Sequence, residues 1–217
     1  MKLTILYEDD AILVCHKPAG VAVQTARLGE ADMESLLKNY RAEKGEEPWI
    51  GVVHRLDQPV EGVMVFAKTK EAAASLGRQM RERLAEKDYY AVTDGIPAQK
   101  KGMLEDYLLR DGRTNLSSVV AKTTPGAKRA ALSYEVIKEG NGRAVLRIRL
   151  QTGRHHQIRV QLAHAGMPIA GDRKYQFREH VAPSGRGLSL CACRLVFRHP
   201  ADKRKLEFEI DNPYTLS

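Results

Sequence analysis

The stretch that most limits what this 217-residue chain can fold into runs from His54 to Lys68. Val63-Met64-Val65-Phe66-Ala67 is an apolar run that has to be buried, and it reads as a core strand. Directly before it, His54-Arg55-Leu56-Asp57-Gln58-Pro59-Val60-Glu61-Gly62 is polar, with a Pro and a Gly that shape a tight connection. A polar loop braced by a core strand is a common setting for catalytic groups. A structural loop in which Asp57 is only a cap has the same residues, and periodicity does not separate the two.

The remaining chain supplies short strands and few helices. Leu3 to Tyr7 and Ile12 to His16 flank Glu8-Asp9-Asp10 as strand, turn and strand, and Lys17-Pro18-Ala19-Gly20 turns the chain again. Met33, Leu36, Leu37 and Tyr40 recur at helical spacing, with Asp32 as cap and Gly45 as stop. A second helix is expected after Thr69, with Ala73, Leu76, Met80 and Leu84 on its apolar face. Tyr89 to Thr93 reads as a strand. Beyond Pro97 the sequence is polar as far as Lys128 and carries only weak strand signals, near Met103 to Leu109 and Ser117 to Lys122. Ala130 to Ile137 and Ala144 to Leu150 form a hairpin about Glu139-Gly140-Asn141-Gly142. Gln151 to Gly166 is then a turn and a short helix whose first turn crowds Arg154, His155, His156 and Arg159. Leu188 to Phe197 and Lys205 to Ile210 close the chain as strands. Strands outnumber helices, so the class is α+β with a mainly antiparallel sheet.

Several kinds of chemistry are not implied. No glycine-rich phosphate or dinucleotide loop follows a strand, and no serine sits in an elbow motif. Cys15, Cys191 and Cys193 are an odd number in apolar strand contexts, which argues against a disulfide framework. Alternation sends Cys191 and Cys193 to one face, expected to be the buried one, and no metal site is expected. No apolar run spans a bilayer and the acidic start does not resemble a signal peptide, so a cytoplasmic location with no membrane partner is expected. Lys and Arg number 35 against 27 Asp and Glu, a net charge of +8 that suits a polyanionic partner. What remains is a conspicuous carboxylate, Asp57, amid basic groups. Such an arrangement suits nucleophilic attack, or removal of one proton, on an anionic substrate.

These residues resemble a known family. His54-Arg55-Leu56-Asp57 followed by Gly62 and a strand ending Phe66-Ala67-Lys68 is similar to the signature of the RluA-type RNA pseudouridine synthases. Glu8-Asp9-Asp10 with Lys17-Pro18-Ala19-Gly20 resembles that family's opening, and Lys87-x-Tyr89 with Ala91 and Gly95 its tyrosine motif. Thr152-Gly153-Arg154-x-His156-Gln157-Ile158-Arg159, continuing into Gly171-Asp172-x-Lys174-Tyr175, resembles its third motif, and His199-Pro200 a late landmark. The blocks occur in the family's order over nearly the whole chain.

The resemblance implies a pseudouridine synthase fold, with a mixed, mainly antiparallel central sheet, short flanking helices and an RNA-binding cleft across the sheet. It also implies a single catalytic domain over residues 1–217 that works without a cofactor on ribosomal or transfer RNA. Asp57 would be the catalytic carboxylate, Arg159 its ion-pair partner and Tyr89 the residue packed against the target base. Arg55 would enter the space left by the flipped base. His54, Lys17, Arg154, His156, Gln157 and Lys174 would face the RNA. The chain departs from the family pattern in carrying Val60-Glu61 before the glycine and His155 before His156, and it begins without the S4 domain many relatives carry. Loss of catalysis, leaving an RNA-binding or RNA-folding factor, is the alternative that Val60-Glu61 would support. Nothing suggests an obligate interface, so a monomer is expected.

Overall fold

The computed structural model describes residues 3–27, 29–176 and 187–216. Their order is β1 (Thr4–Glu8), β2 (Ile12–Lys17), α1 (Met33–Glu43), β3 (Gly51–Val52), β4 (Glu61–Ala67), α2 (Lys70–Arg81), β5 (Glu86–Asp94), β6 (Lys101–Asp111), β7 (Leu116–Val120), β8 (Lys128–Gly140), β9 (Arg143–Leu150), α3 (Gln157–His164), β10 (Leu190–Arg198) and β11 (Lys205–Glu209). The class is the α+β expected. The chain divides into two compact units, Met1–Lys87 with Ala192–Asp211, and Asp88–Cys191 with Asn212–Ser217.

In the first unit β4 is the central strand. It pairs antiparallel with β2, from Ile12 opposite Ala67 to Lys17 opposite Gly62, and also with β3. β1 pairs with the outer edge of β2, and β11 pairs with β10. Val63 to Ala67 are all buried, as an apolar run without alternation requires when both faces of a strand are covered. One face packs Ile12, Val14, Val63, Val65, Leu76, Leu195 and Phe197 together. Gly62 has a φ of +130°, and a Cβ there would lie 2.2 Å from the Ala192 carbonyl oxygen. Only glycine permits that approach, so the end of the Asp57 loop is fixed against β10. Helix α1 begins at a reciprocal capping box between Asp32 and Ser35. Helix α2 begins at Thr69 as expected but ends at Arg81, because Arg83 turns into the left-handed region at φ 60°. Leu84, expected on its apolar face, is consequently 63% exposed.

In the second unit the strands lie in the order β5-β9-β8-β6-β7 with antiparallel pairings. Asn141 and Gly142 both take positive φ, 54° and 74°, the signature of the tight hairpin turn read from the sequence. The polar stretch after Pro97 is more ordered than its sequence suggests. It forms β6, eleven residues long, whose exposed and half-buried positions give little hydrophobic alternation to read. Cys15, Cys191 and Cys193 are all buried in strands. No helix among the described residues is long and apolar enough to cross a membrane.

Candidate active site

Asp57 sits half-buried in the connection between β3 and β4, within a turn closed by the Val60 amide donating to the Asp57 carbonyl at 3.0 Å. Two braces hold this loop. On one side the turn after β2 grips Gln58: the Gly20 amide and the Lys17 ammonium donate to the Gln58 carbonyl at 2.9 and 3.1 Å, and the Gln58 side-chain amide donates to the Gly20 carbonyl at 3.0 Å. On the other side the Val65 amide donates to Nε2 of His54 at 3.1 Å. An imidazole that accepts at Nε2 carries its proton at Nδ1. Burial, aided by the nearby charge of Lys87, keeps this ring neutral and its pKa well below 6.5.

Lys17 was expected to face the RNA, and the structure corrects that placement. Its side chain is 0% exposed, and its ammonium donates to the carbonyls of Pro18, Val21 and Gln58. Desolvation lowers its pKa to about 8, against the opposing pull of Asp57 and Glu61. Lys17 therefore works inside the loop, tying Gln58 in place beside Asp57. The same geometry accounts for the unusual Val60-Glu61 pair. Val60 is 2% exposed and belongs to the core, while Glu61 contributes negative charge toward the buried Lys17.

Arg55 is exposed, and its Nη2 donates to Oε1 of Gln24 at 2.6 Å. The Gln24 amide in turn donates to Glu34, itself paired with Lys38. The arginine is thus presented at the surface of the loop by a chain of polar side chains rooted on α1.

In the second unit, Tyr89 lies on β5 opposite Ile148 and is 7% exposed. Its sequence neighbour Asp88 is held by Arg149 through two hydrogen bonds, 2.9 and 3.0 Å, and by Arg147 at 3.1 Å. These two arginines occupy the polar side of β9 that alternation predicts. Arg159, on the buried helix α3, is 5% exposed. Its Nε and Nη2 donate in a fork to the two oxygens of Asp172, each at 2.8 Å, and its guanidinium lies 5.2 Å from the centre of the Tyr175 ring. Asp172 is also held by the backbone amides of Lys174 and Tyr175. A carboxylate fixed by two amides and a bidentate arginine leaves that guanidinium little freedom to rotate. In the sequence Asp172 stands out only as part of the third motif, which does not reveal this role. The signal available was its place between two glycine- and lysine-marked turn positions, Gly171 and Lys174.

The remaining candidates divide into inward and outward groups. Gln157, expected to face RNA, is 3% exposed and directed inward: its carbonyl accepts from Thr152 Oγ1 at 2.7 Å and the Arg154 amide at 2.9 Å, and its amide donates to the Ala131 carbonyl at 3.1 Å. That expectation is corrected, since Gln157 closes the turn before α3. His156 is 8% exposed, has a left-handed backbone at φ 52°, and bonds the Tyr175 hydroxyl through Nδ1 at 2.7 Å. His155 stacks on it with ring centres 3.7 Å apart and reaches Ser117 at 2.9 Å. Arg154 is half-buried with Nε on the Arg129 carbonyl, and Lys174 is exposed with its ammonium on the Asn115 carbonyl.

Comparison with known proteins accords with these motifs. A family model described as RNA pseudouridylate synthase matches residues 11–164. The chain is 36% identical over 211 residues to the "Dual-specificity RNA pseudouridine synthase RluA" of Salmonella typhimurium, with 96% of this chain and 92% of the relative covered. It is 35% identical over 223 residues to the "Ribosomal large subunit pseudouridine synthase D" of Neisseria meningitidis, covering 98% of this chain but spanning only 59% of that relative's length. Among solved structures, "Human RNA Pseudouridylate Synthase Domain Containing 4" superposes with a TM-score of 0.79 at 25% identity, over 97% of this chain and 88% of that one. With the family's motifs in order and its model matched over most of the sequence, the chain belongs to the RNA pseudouridylate synthase family.

Proposed function

We propose that this protein isomerises uridine to pseudouridine in ribosomal or transfer RNA, with Asp57 as the catalytic carboxylate. The reaction breaks the bond between the sugar and the base nitrogen and remakes it to a ring carbon. It needs no redox or phosphate carrier. The observation that carries the reading is the bracing of the Asp57 loop from both sides, by Lys17 and Gly20 at Gln58 and by His54 at Val65. A carboxylate that must meet a reacting atom has to be held in one geometry before substrate arrives.

In this reading Arg159, set by Asp172, pairs with Asp57 and fixes the direction of its carboxylate. Tyr89 packs against the target base, and Arg55 fills the gap that base leaves in the RNA stack, offsetting part of the few kcal/mol needed to unstack it. Arg154, His156 and Lys174 contribute on the RNA side. We further infer a single catalytic domain spanning both compact units, acting as a monomer in the cytoplasm. The alternative of a non-catalytic RNA binder rested on Val60-Glu61, and those residues have an internal role here.

The test is to map pseudouridine in total RNA from cells with and without the gene, then to supply purified protein to RNA from the deletion strain. At least one uridine is expected to lose its modification in the deletion strain and regain it in vitro. If no position changes in either experiment, the reading is wrong.

A further inference from the structure

We propose that Tyr175 is a positioning residue for the reaction: anchored by its hydroxyl on Ser117 and His156, its ring fixes the plane of the guanidinium of Arg159, which Asp172 aims. What Arg159 does for the substrate rests on the synthase reading, whereas the geometry lies wholly within the second unit. The Asp172 carboxylate takes Nε and Nη2 of Arg159 at 2.8 Å each, which sets where the guanidinium points within its own plane. A two-pronged pair still lets that plane tilt about the axis joining the two groups. The Tyr175 ring opposes the tilt, because the guanidinium carbon lies over it, 5.2 Å from its centre, and a flat cation is held against an aromatic face.

A ring can fix a neighbour only if it is itself fixed. The Ser117 amide of β7 donates to the Tyr175 hydroxyl at 2.8 Å, and that hydroxyl meets Nδ1 of His156 at 2.7 Å. The Tyr175 amide donates to Oδ1 of Asp172 at 3.3 Å, so the ring and the carboxylate that hold Arg159 are also tied to each other. The unusual His155 enters the same arrangement. Its Nδ1 lies 2.9 Å from Oγ of Ser117, and its ring stacks on His156 with centres 3.7 Å apart. Ser117 thus holds Tyr175 by its amide and, through His155, braces the second ring that meets the same hydroxyl. Tyr175 is 5% exposed and also packs with Leu108, Ala130 and Val160, so it supports the core as well. A buried hydroxyl is satisfied by one partner. Here two groups from different elements converge on it while the ring lies against a cation, which is more than core packing requires.

Ribosomal RNA purified from the deletion strain serves as the probe, and the parent protein, Tyr175→Phe and Tyr175→Leu are compared for RNA affinity and for the single-turnover rate of pseudouridine formation at saturating enzyme. Phenylalanine keeps the ring and removes its anchor, whereas leucine removes both. The rate is expected to fall about tenfold in Tyr175→Phe and about a hundredfold in Tyr175→Leu, the cost of misplacing a group at the reacting centre by about 1 Å. RNA affinity should stay within about twofold of the parent in both. A residue that only supported the core would lower the thermal midpoint without slowing the folded, RNA-bound protein. Parental rates in both variants would overturn the proposal. Equal losses in the two would do the same, since the ring would then add nothing, and so would weakened RNA binding with an unchanged saturating rate. A second measurement does not depend on turnover. The side-chain N–H resonances of Arg159, identified by their loss in Arg159→Lys, are expected to be sharp and distinct in the parent, broadened in Tyr175→Phe and averaged in Tyr175→Leu; parental resonances in Tyr175→Phe would overturn the proposal even if Tyr175→Leu fails to fold. A parent protein that forms no pseudouridine loses the synthase reading, and the resonances then decide whether Tyr175 holds Arg159.

Discussion

Two corners of the first unit handle buried positive charge in opposite ways. At the start of α2, Lys68 is gathered with Lys44 and Arg41 around Glu8 and Glu46, and the two acids hold Lys68 in its charged state against the cost of its burial. Beside the Asp57 loop, Lys17 and Lys87 both have their pKa lowered to about 8, and His54 is kept neutral. The first corner is internally complete and serves the fold. The second meets its buried lysine mainly with backbone carbonyls, and burial there disfavours charge on Lys17, Lys87 and His54. Perturbed titratable groups gather at functional sites for this reason.

If that contrast holds, Lys68→Met should be the most damaging change. It removes the common partner of Glu8 and Glu46 while leaving both acids in place, and a loss of about 3 kcal/mol in denaturant unfolding is expected. A loss below about 1 kcal/mol would mean that solvent already screens the cluster.

Lys87→Met should act in the opposite direction. Because the folded pKa is depressed to about 8 from 10.5, the penalty of burying the charged form is present in full below pH 8 and fades as pH rises toward 10.5. The variant is therefore expected to be more stable than the parent by about 2 kcal/mol at neutral pH, with the gap closing across that window. A gap that stays constant or widens with pH would place the lysine in a different environment.

The smallest effect concerns His54. Its folded ring refuses a proton that the unfolded ring accepts at 6.5, so its contribution is intact above that pH and is lost as pH falls below it. About 1.4 kcal/mol should be lost one pH unit below that point. His54→Gln, which keeps an acceptor for the Val65 amide, should flatten this acid limb when unfolding is followed over a pH series. An unchanged limb would assign the acid sensitivity to other groups.

The comparison also explains what could be read from the sequence. The apolar run Val63 to Ala67, the Asp32 and Thr69 caps and the Asn141-Gly142 turn are local signals, and the elements they predict are present. Local signals also brought Asp57, His54 and Arg55 into one loop. Lysine and glutamine, in contrast, read as surface residues wherever they occur, and only tertiary structure reveals that Lys17 faces three carbonyls or that Gln157 closes a turn from within. The fork between Arg159 and Asp172 joins residues thirteen apart across a turn, and no periodicity marks such a pair. Strand β6 was hard to see because few of its side chains are buried, so the alternation that identifies a strand is weak there.

The most direct test of the account compares RNA affinity and pseudouridine formation in the same preparations of the parent protein and Asp57→Asn, using RNA from the deletion strain. The substitution keeps the shape of the loop and removes its carboxylate. The account predicts that Asp57→Asn binds the RNA with affinity close to that of the parent and forms no detectable pseudouridine under single-turnover conditions. Pseudouridine formation by Asp57→Asn at or near the parental rate would contradict it.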